Sequence, residues 1–255
     1  MTGATRNDWL TVAAIGLITM CVVTADHEAL GHGSVCLLVH GHVTLLTSSL
    51  FRCSAKSGWI DVGGPAMNLI MGTLALIVRL TLPRSFLKTR LFLLCVTAFS
   101  FFWEGGYLID AMHHQNGDLY YFTQFMLGSV SVWQRWLGAA LGLALFVLSA
   151  RIAADALLDI WPDASIARGV ARTIWMSAAI GAAIAAALYA GHDWGNFRDA
   201  VLEIAVASFP LLFVPFGRGE SRLSTQTIAR SPAVIGLSLA VYVIFAMTLG
   251  RGVIG

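Results

Sequence analysis

The run Asp26-His27-Glu28-Ala29-Leu30-Gly31-His32 places two imidazoles and two carboxylates in one short stretch of an apolar chain. Two histidines four residues apart share a helix face and can bind zinc through ring nitrogens. The glutamate beside the first is then left to act as general base on a water. Here the second histidine comes five residues after the first. On a regular α-helix that spacing turns the two rings about 140° apart, against about 40° for a spacing of four.

Three local solutions reconcile this spacing with one ion. A single π-helical turn absorbs the extra residue and returns His27 and His32 to one face, a distortion that Gly31 makes cheaper. Alternatively, Glu28 and His32, which are four apart, are the ligands, and Glu28 is then not free as a base. Or the helix ends near Asp26 and the histidines meet across a turn. Beside these stands the plain alternative of two membrane histidines without metal.

Two further clusters follow. Gly63-Gly64-Pro65-Ala66-Met67-Asn68 opens an apolar segment. Gly and Pro mark a helix start, whereas Asn68, one turn further in, needs hydrogen-bond partners. The stretch from Trp103 and Glu104 through Tyr107, Asp110, His113 and His114 to Asp118 ends another apolar segment in a dense polar cluster. Two histidines and one carboxylate make a catalytic zinc set with the fourth position open. Asp118 and Asp110 are the candidate third ligands and His114 an alternative, although each acid alone also suits an interfacial helix end.

The elements that must position these groups are membrane helices. Of 255 residues, 57% are apolar and 12% charged, half the charged share of a soluble domain, which excludes that class. A net charge of +2 without a basic run excludes nucleic acid as a partner. Seven stretches approach the roughly 20 apolar residues that a span requires: Trp9–Val39, Val62–Leu82, Leu87–Met112, Val132–Ala150, Arg172–Ala190, Ala200–Phe216 and Pro232–Gly250. The expected fold is therefore all-α, a polytopic membrane protein of six to eight transmembrane helices in contact with the lipid bilayer.

With the N-terminus inside, eleven of the sixteen Lys and Arg residues are cytoplasmic, among them Arg6, Arg79, Arg84, Arg90, Arg218 and Arg222. That bias favours a cytoplasmic N-terminus in the cell (inner) membrane and an outward C-terminus. Val23-Thr24-Ala25 also has the form of a signal-peptide cleavage site, but the n-region carries only Arg6 beside Asp8. Arg151–Arg168 reads as a cytoplasmic helix-loop. The four cysteines lack paired spacings and read as packing residues. Six of the seven histidines precede residue 115. The chain accordingly divides into a metal-site-bearing core, residues 1–125, and accessory helices, residues 126–255, within one membrane domain.

Three elements in order, His27-Glu28…His32, Gly64-Pro65-Ala66-Met67-Asn68, and Gly106-Tyr107-Leu108-Ile109-Asp110…Gly117-Asp118, resemble the site-2 protease family of intramembrane zinc metallopeptidases, over about residues 20–125. The resemblance implies one zinc ion held by His27, His32 and Asp118 or Asp110. It implies Glu28 as the base, Asn68 and Pro65 near the substrate cleft, and a membrane-spanning protein as substrate. It also implies that Gly41–Trp59 forms a re-entrant hairpin or loop. The sequence departs from the family in its longer histidine spacing, in lacking the usual Asp-Gly pair at Asp110-Ala111, and in a metal side that falls away from the cytoplasm.

Other functions compete. A membrane di-iron oxygenase would use His27, His32 and the pair His113-His114, but such enzymes need about eight histidines in three boxes. An ion carrier would rely on Glu104 and Glu203, with His192-Asp193 at a vestibule. An inactive protease-like protein would keep the fold without catalysis.

Overall fold

The computed structural model describes residues 7–215 and 226–255. Arg6, Arg218, Arg222 and Phe216, used in the orientation and span assignments, lie outside these residues. The described chain is mostly helical, and six of its helices are long and apolar enough to cross a membrane: Trp9–Leu38, Gly58–Thr81, Leu87–His114, Val132–Ile160, Ala164–Ala187 and Pro232–Gly250.

Helix α1, Trp9–Ala25, starts where Asp8 accepts the Thr11 N–H at 2.8 Å, one of the donors that a helix start leaves without an internal partner. It passes into a π-helical turn, Asp26–His32, and then α2, Gly33–Leu38. Strands β1, Val43–Leu46, and β2, Phe51–Cys53, form an antiparallel hairpin. Helix α3, Gly58–Thr81, returns along the bundle. Helix α4, Leu87–His114, comes back to the hairpin end, and a short α5, Asp118–Leu127, lies there. Helix α6, Val132–Ile160, packs on α4, with the Ser149 hydroxyl donating to the Ala98 carbonyl at 3.2 Å.

Helix α7, Ala164–Ala187, follows after a turn in which Asp163 caps its first amides. The expected helix-loop Arg151–Arg168 is therefore corrected. Apolar residues Ala153, Ala156, Leu157 and Ile160 carry α6 into the core as far as Trp161, and only the Trp161-Pro162-Asp163 corner breaks the helix.

The expected sixth span is also corrected, because Ala200–Phe216 is not one helix. It is built from α8, Trp194–Ala200, a π-helical turn, Val201–Val206, and a 3₁₀ turn, Phe209–Leu212. Pro210, lacking an N–H, cannot continue a helix ladder. The segment still runs back along α7. Asn196 bonds the Ala186 carbonyl, Trp175 donates to the Ala205 carbonyl, and Arg172 donates to the Leu212 carbonyl. Helix α9, Pro232–Phe245, then runs from Thr11 at the start of α1 toward Gly181. Asn7 and the C-terminal residues consequently lie at opposite ends of the bundle.

After α9 comes a last π-helical turn, Ala246–Gly250, and β3, Val253–Ile254, which pairs antiparallel with β1, with Leu45 opposite Ile254. The chain's end thus completes a sheet begun near residue 43, and α1 packs on α7 and α9. The two halves interlock.

The cysteine reading needs one correction. Cys36 and Cys53 form a disulfide with Cα atoms 6.0 Å apart. The reversal at His40, whose backbone is left-handed, folds the hairpin back against α2, a proximity that linear spacing does not encode. Cys21 and Cys95 are buried among apolar helices.

Candidate metal centre

Asp26–His32 is a π-helical turn in which the Gly33 N–H donates to the Glu28 carbonyl, five residues back. The extra residue per turn places His27 and His32 on one face, with ring centroids 4.9 Å apart. Close approach of α3 permits this shape. A Cβ on Gly31 would lie 2.6 Å from the Gly63 carbonyl oxygen, so backbone meets backbone where any other residue would collide.

Asp118 completes the set. Its carboxylate Oδ2 lies 3.2 Å from His32 Nε2 and 3.6 Å from His27 Nε2, and the three ligand atoms are all within 4.8 Å of one another. The corner between α4 and α5 turns through left-handed Gln115 and Gly117 at φ 95°, which swings Asp118 back over the histidines. The Asp118 N–H donates to the Tyr107 hydroxyl at 3.1 Å. Burial opposes ionisation of this carboxyl, but the adjoining imidazoles of His32 and His27 outweigh it and hold Asp118 below the usual carboxylate range.

The outer nitrogens of both rings are held. His32 Nδ1 donates to the Ile60 carbonyl at 2.7 Å, which leaves the Nε2 lone pair toward Asp118. His27 Nδ1 lies 3.2 Å from Glu104 Oε1, and Asn68 Nδ2 donates to the same oxygen at 2.8 Å. A carboxylate or carbonyl on the far ring nitrogen is the usual support of a metal-ligating histidine. Trp103 stacks on His27 with centroids 4.4 Å apart, and Phe51 stacks on His32 at 5.4 Å. Each ring is therefore fixed in plane and tilt, and His27 Nδ1 also lies 3.1 Å from Asn68 Nδ2.

The residues fit an ion. A Cβ on Gly64 would sit 2.4 Å from His32 Nε2 and 2.5 Å from His27 Nε2, so the missing side chain leaves room at the point where both lone pairs aim. The His27, His32 and Asp118 group can thus bind a metal. Among the described residues no other group of three or more His, Cys, Asp or Glu side chains converges in this way.

Glu28 is buried, its Oε2 has no hydrogen-bond partner among the described residues, and it lines the same cavity as the three ligand candidates. That cavity, about 1590 Å³ and open to the outside, runs from the hairpin to α5 and also reaches Tyr107 and Glu203.

Several expected site residues are placed otherwise. Asp110 and His114 pair with each other at 2.9 Å on the exposed end of α4. They line the cavity but do not join the ligand group, because α4 continues unbroken to His114 and holds them one turn apart at its rim. Asn68 and Pro65 do not line the cavity. Asn68 is fully buried, since the close approach at Gly63 and Gly64 turns it inward to Glu104. Glu104 lies against the far nitrogen of His27 and outside the converging group.

Some contributors carried no distinct sequence signal. Tyr107 lies in a quoted motif without a role, the Ile60 carbonyl is backbone, and Gly64 reads as an ordinary helix-start glycine. The Cys36–Cys53 bridge could be suspected only from both residues flanking one polar loop. Comparison with family models, with curated proteins and with solved structures finds no match for this chain.

Proposed function

We propose that this chain is an intramembrane zinc metallopeptidase, akin to the site-2 proteases, that hydrolyses peptide bonds of membrane-spanning substrates. The observation that carries this reading is the convergence of His27 Nε2, His32 Nε2 and Asp118 Oδ2 beside Glu28, a carboxylate with an unpartnered oxygen, in one open cavity.

Three neutral or anionic ligands of this kind suit zinc and leave a coordination position free. When bound, zinc lowers the pKa of water to about 7 and polarises a carbonyl. Glu28 accepts the proton of the attacking water and returns it to the departing amide nitrogen, so the glutamate is unchanged after a turnover. Glu104 and the Ile60 carbonyl hold the imidazoles in the tautomer that offers Nε2. The cavity along the hairpin receives an extended segment, because an intact substrate helix shields its own carbonyls.

Sidedness belongs to the same proposal. Arg79, Arg84, Arg90, Arg168 and Arg172 gather at the end of the bundle where α1 starts, and the Cys36–Cys53 disulfide lies at the metal-centre end. Arginine enrichment favours the cytoplasmic side and disulfides persist on the oxidising side, so both support a cytoplasmic N-terminal end and an outward metal centre.

A second reading, an ion carrier, draws on Glu203, whose buried Oε2 has no hydrogen-bond partner among the described residues and which faces the same cavity. One experiment separates the two. The detergent-purified chain is analysed for metal by mass spectrometry and for cleavage of a membrane-spanning model substrate, beside Glu28→Gln. The peptidase reading expects about one zinc per chain in both proteins and cleavage only in the wild type. Well-folded wild type without metal would sink it, and ion flux that survives Glu28→Gln after reconstitution into sealed vesicles would favour the carrier.

A further inference from the structure

At the end of the bundle remote from the metal centre, three arginines share one carboxylate. Arg84, in the loop after α3, donates Nη2 to Asp159 Oδ1 at 2.8 Å. Arg90, in the first turn of α4, donates Nη2 to Asp159 Oδ2 at 3.2 Å and Nη1 to the Leu82 carbonyl at 2.7 Å. Arg79, in the last turn of α3, reaches the Ala156 carbonyl at 3.3 Å and lies 4.0 Å from Asp159. Among the described residues Asp159 is the one carboxylate paired with any of the three.

The charge does not balance there. Arg79 and Arg90 are 4% and 7% exposed, and the buried Nε of Arg79 has no hydrogen-bond partner among the described residues. Among the described residues, three guanidiniums on one carboxylate leave an excess of two positive charges, two of the three groups being withdrawn from water. Buried charge is costly unless paired, and an anion is the partner that would complete the set. The setting indicates which anion. Leu80 and Phe86, immediately beside the arginines, are 66% and 54% exposed, so the cluster sits where apolar helix surface gives way to the loop, the level that headgroups would occupy around membrane-spanning helices.

We propose that Arg79, Arg84 and Arg90 around Asp159 form a binding site for a phosphate-bearing anion, supplied by the headgroup of an anionic phospholipid whose acyl chains lie against Leu80 and Phe86. Guanidinium forks match phosphate oxygens in pairs, and basic pockets between transmembrane helices take up such headgroups. The site lies at the opposite end of the bundle from the metal centre and does not depend on the peptidase reading.

The test is the melting temperature of the delipidated, detergent-solubilised full chain, titrated with phosphatidylglycerol, phosphatidylcholine or inorganic phosphate. A ligand that binds only the folded state raises the melting temperature with concentration. The expected result is a saturable rise with phosphatidylglycerol and none with phosphatidylcholine. Arg84 is 74% exposed at its side chain, so Arg84→Gln folds and should weaken the lipid's apparent affinity on the order of tenfold, as for a lost charge-assisted bond. Asp159→Asn, which removes the competing carboxylate, should strengthen it. An equal rise with inorganic phosphate would retain the phosphate site and overturn the lipid as its source. Equal responses to the two lipids, or a phosphatidylglycerol response unchanged in both variants, would overturn the site.

Discussion

Glu104 and His27, 77 residues apart in sequence, meet at 3.2 Å between Oε1 and Nδ1, while the opposite nitrogen of that imidazole faces Asp118 at 3.6 Å. One ring thus links a carboxylate that orients to a carboxylate that can ligate. Replacing Glu104 by Gln keeps the shape but loosens the tautomer. Zinc affinity is expected to fall by about 10- to 100-fold, the usual cost of losing such support. Competition with a chelator of known affinity measures it, and an unchanged affinity would remove Glu104 from the site.

Asp118 and Asp110 separate cleanly. Asp118→Ala should abolish zinc binding at low micromolar metal, whereas Asp110→Ala should keep it, because Asp110 engages only His114 at the rim. Metal content of the two purified variants decides between them. Retention of zinc in Asp118→Ala would refute the ligand set.

Gly64→Ala offers a test that does not touch a ligand. Alanine favours a helix by about 1 kcal/mol over glycine, so α3 should be kept. The new methyl would occupy the space 2.4 Å from His32 Nε2, and zinc binding should be lost from a chain that still folds. Circular dichroism with metal analysis reads both, and full zinc occupancy would place the ion elsewhere.

Tyr107→Phe removes the hydroxyl that accepts the Asp118 N–H and leaves a part-buried donor without that partner. The expected loss is about 1 kcal/mol of stability, seen as a lower melting temperature together with weaker zinc affinity. The positioning role would fail if the melting temperature fell and the affinity did not.

Cys36→Ser with Cys53→Ser opens a loop that the disulfide closes across 17 residues. For a loop of that length the chain-entropy cost is about 3 kcal/mol, so melting should drop markedly and reductant should do the same to the wild type alone. Thiol counting under denaturing conditions provides the control, with two free thiols expected in the oxidised wild type, Cys21 and Cys95.

What the amino-acid sequence determined by itself was the solvent and the ingredients. A chain this apolar is compatible with lipid, where a spanning backbone must be satisfied internally by helices or a closed barrel, and the approximate helix positions follow from local hydropathy. The spacing from His27 to His32 left a π turn, a Glu28–His32 ligand pair, a chain turn near Asp26 or two histidines without metal, since helical geometry is a local property and limits only the local solutions. The orienting bias of the arginines is likewise a property of short segments.

Tertiary structure decided everything that depends on which segments meet. The π turn was selected because α3 approaches through Gly63 and Gly64 and supports the two imidazoles from the other side. Asp118 rather than Asp110 faces them because Gln115 and Gly117 reverse the chain after α4, and a corner's direction is set by packing. Asn68, whose need for a partner was evident, could have turned to the cleft or to a neighbouring helix, and only the position of Glu104 on α4 settled that. The broken segment from Trp194 to Leu212 escaped the hydropathy reading for the same reason. It is held by hydrogen bonds to α7 and not by its own helical continuity, so its path is a property of the neighbour and not of its residues.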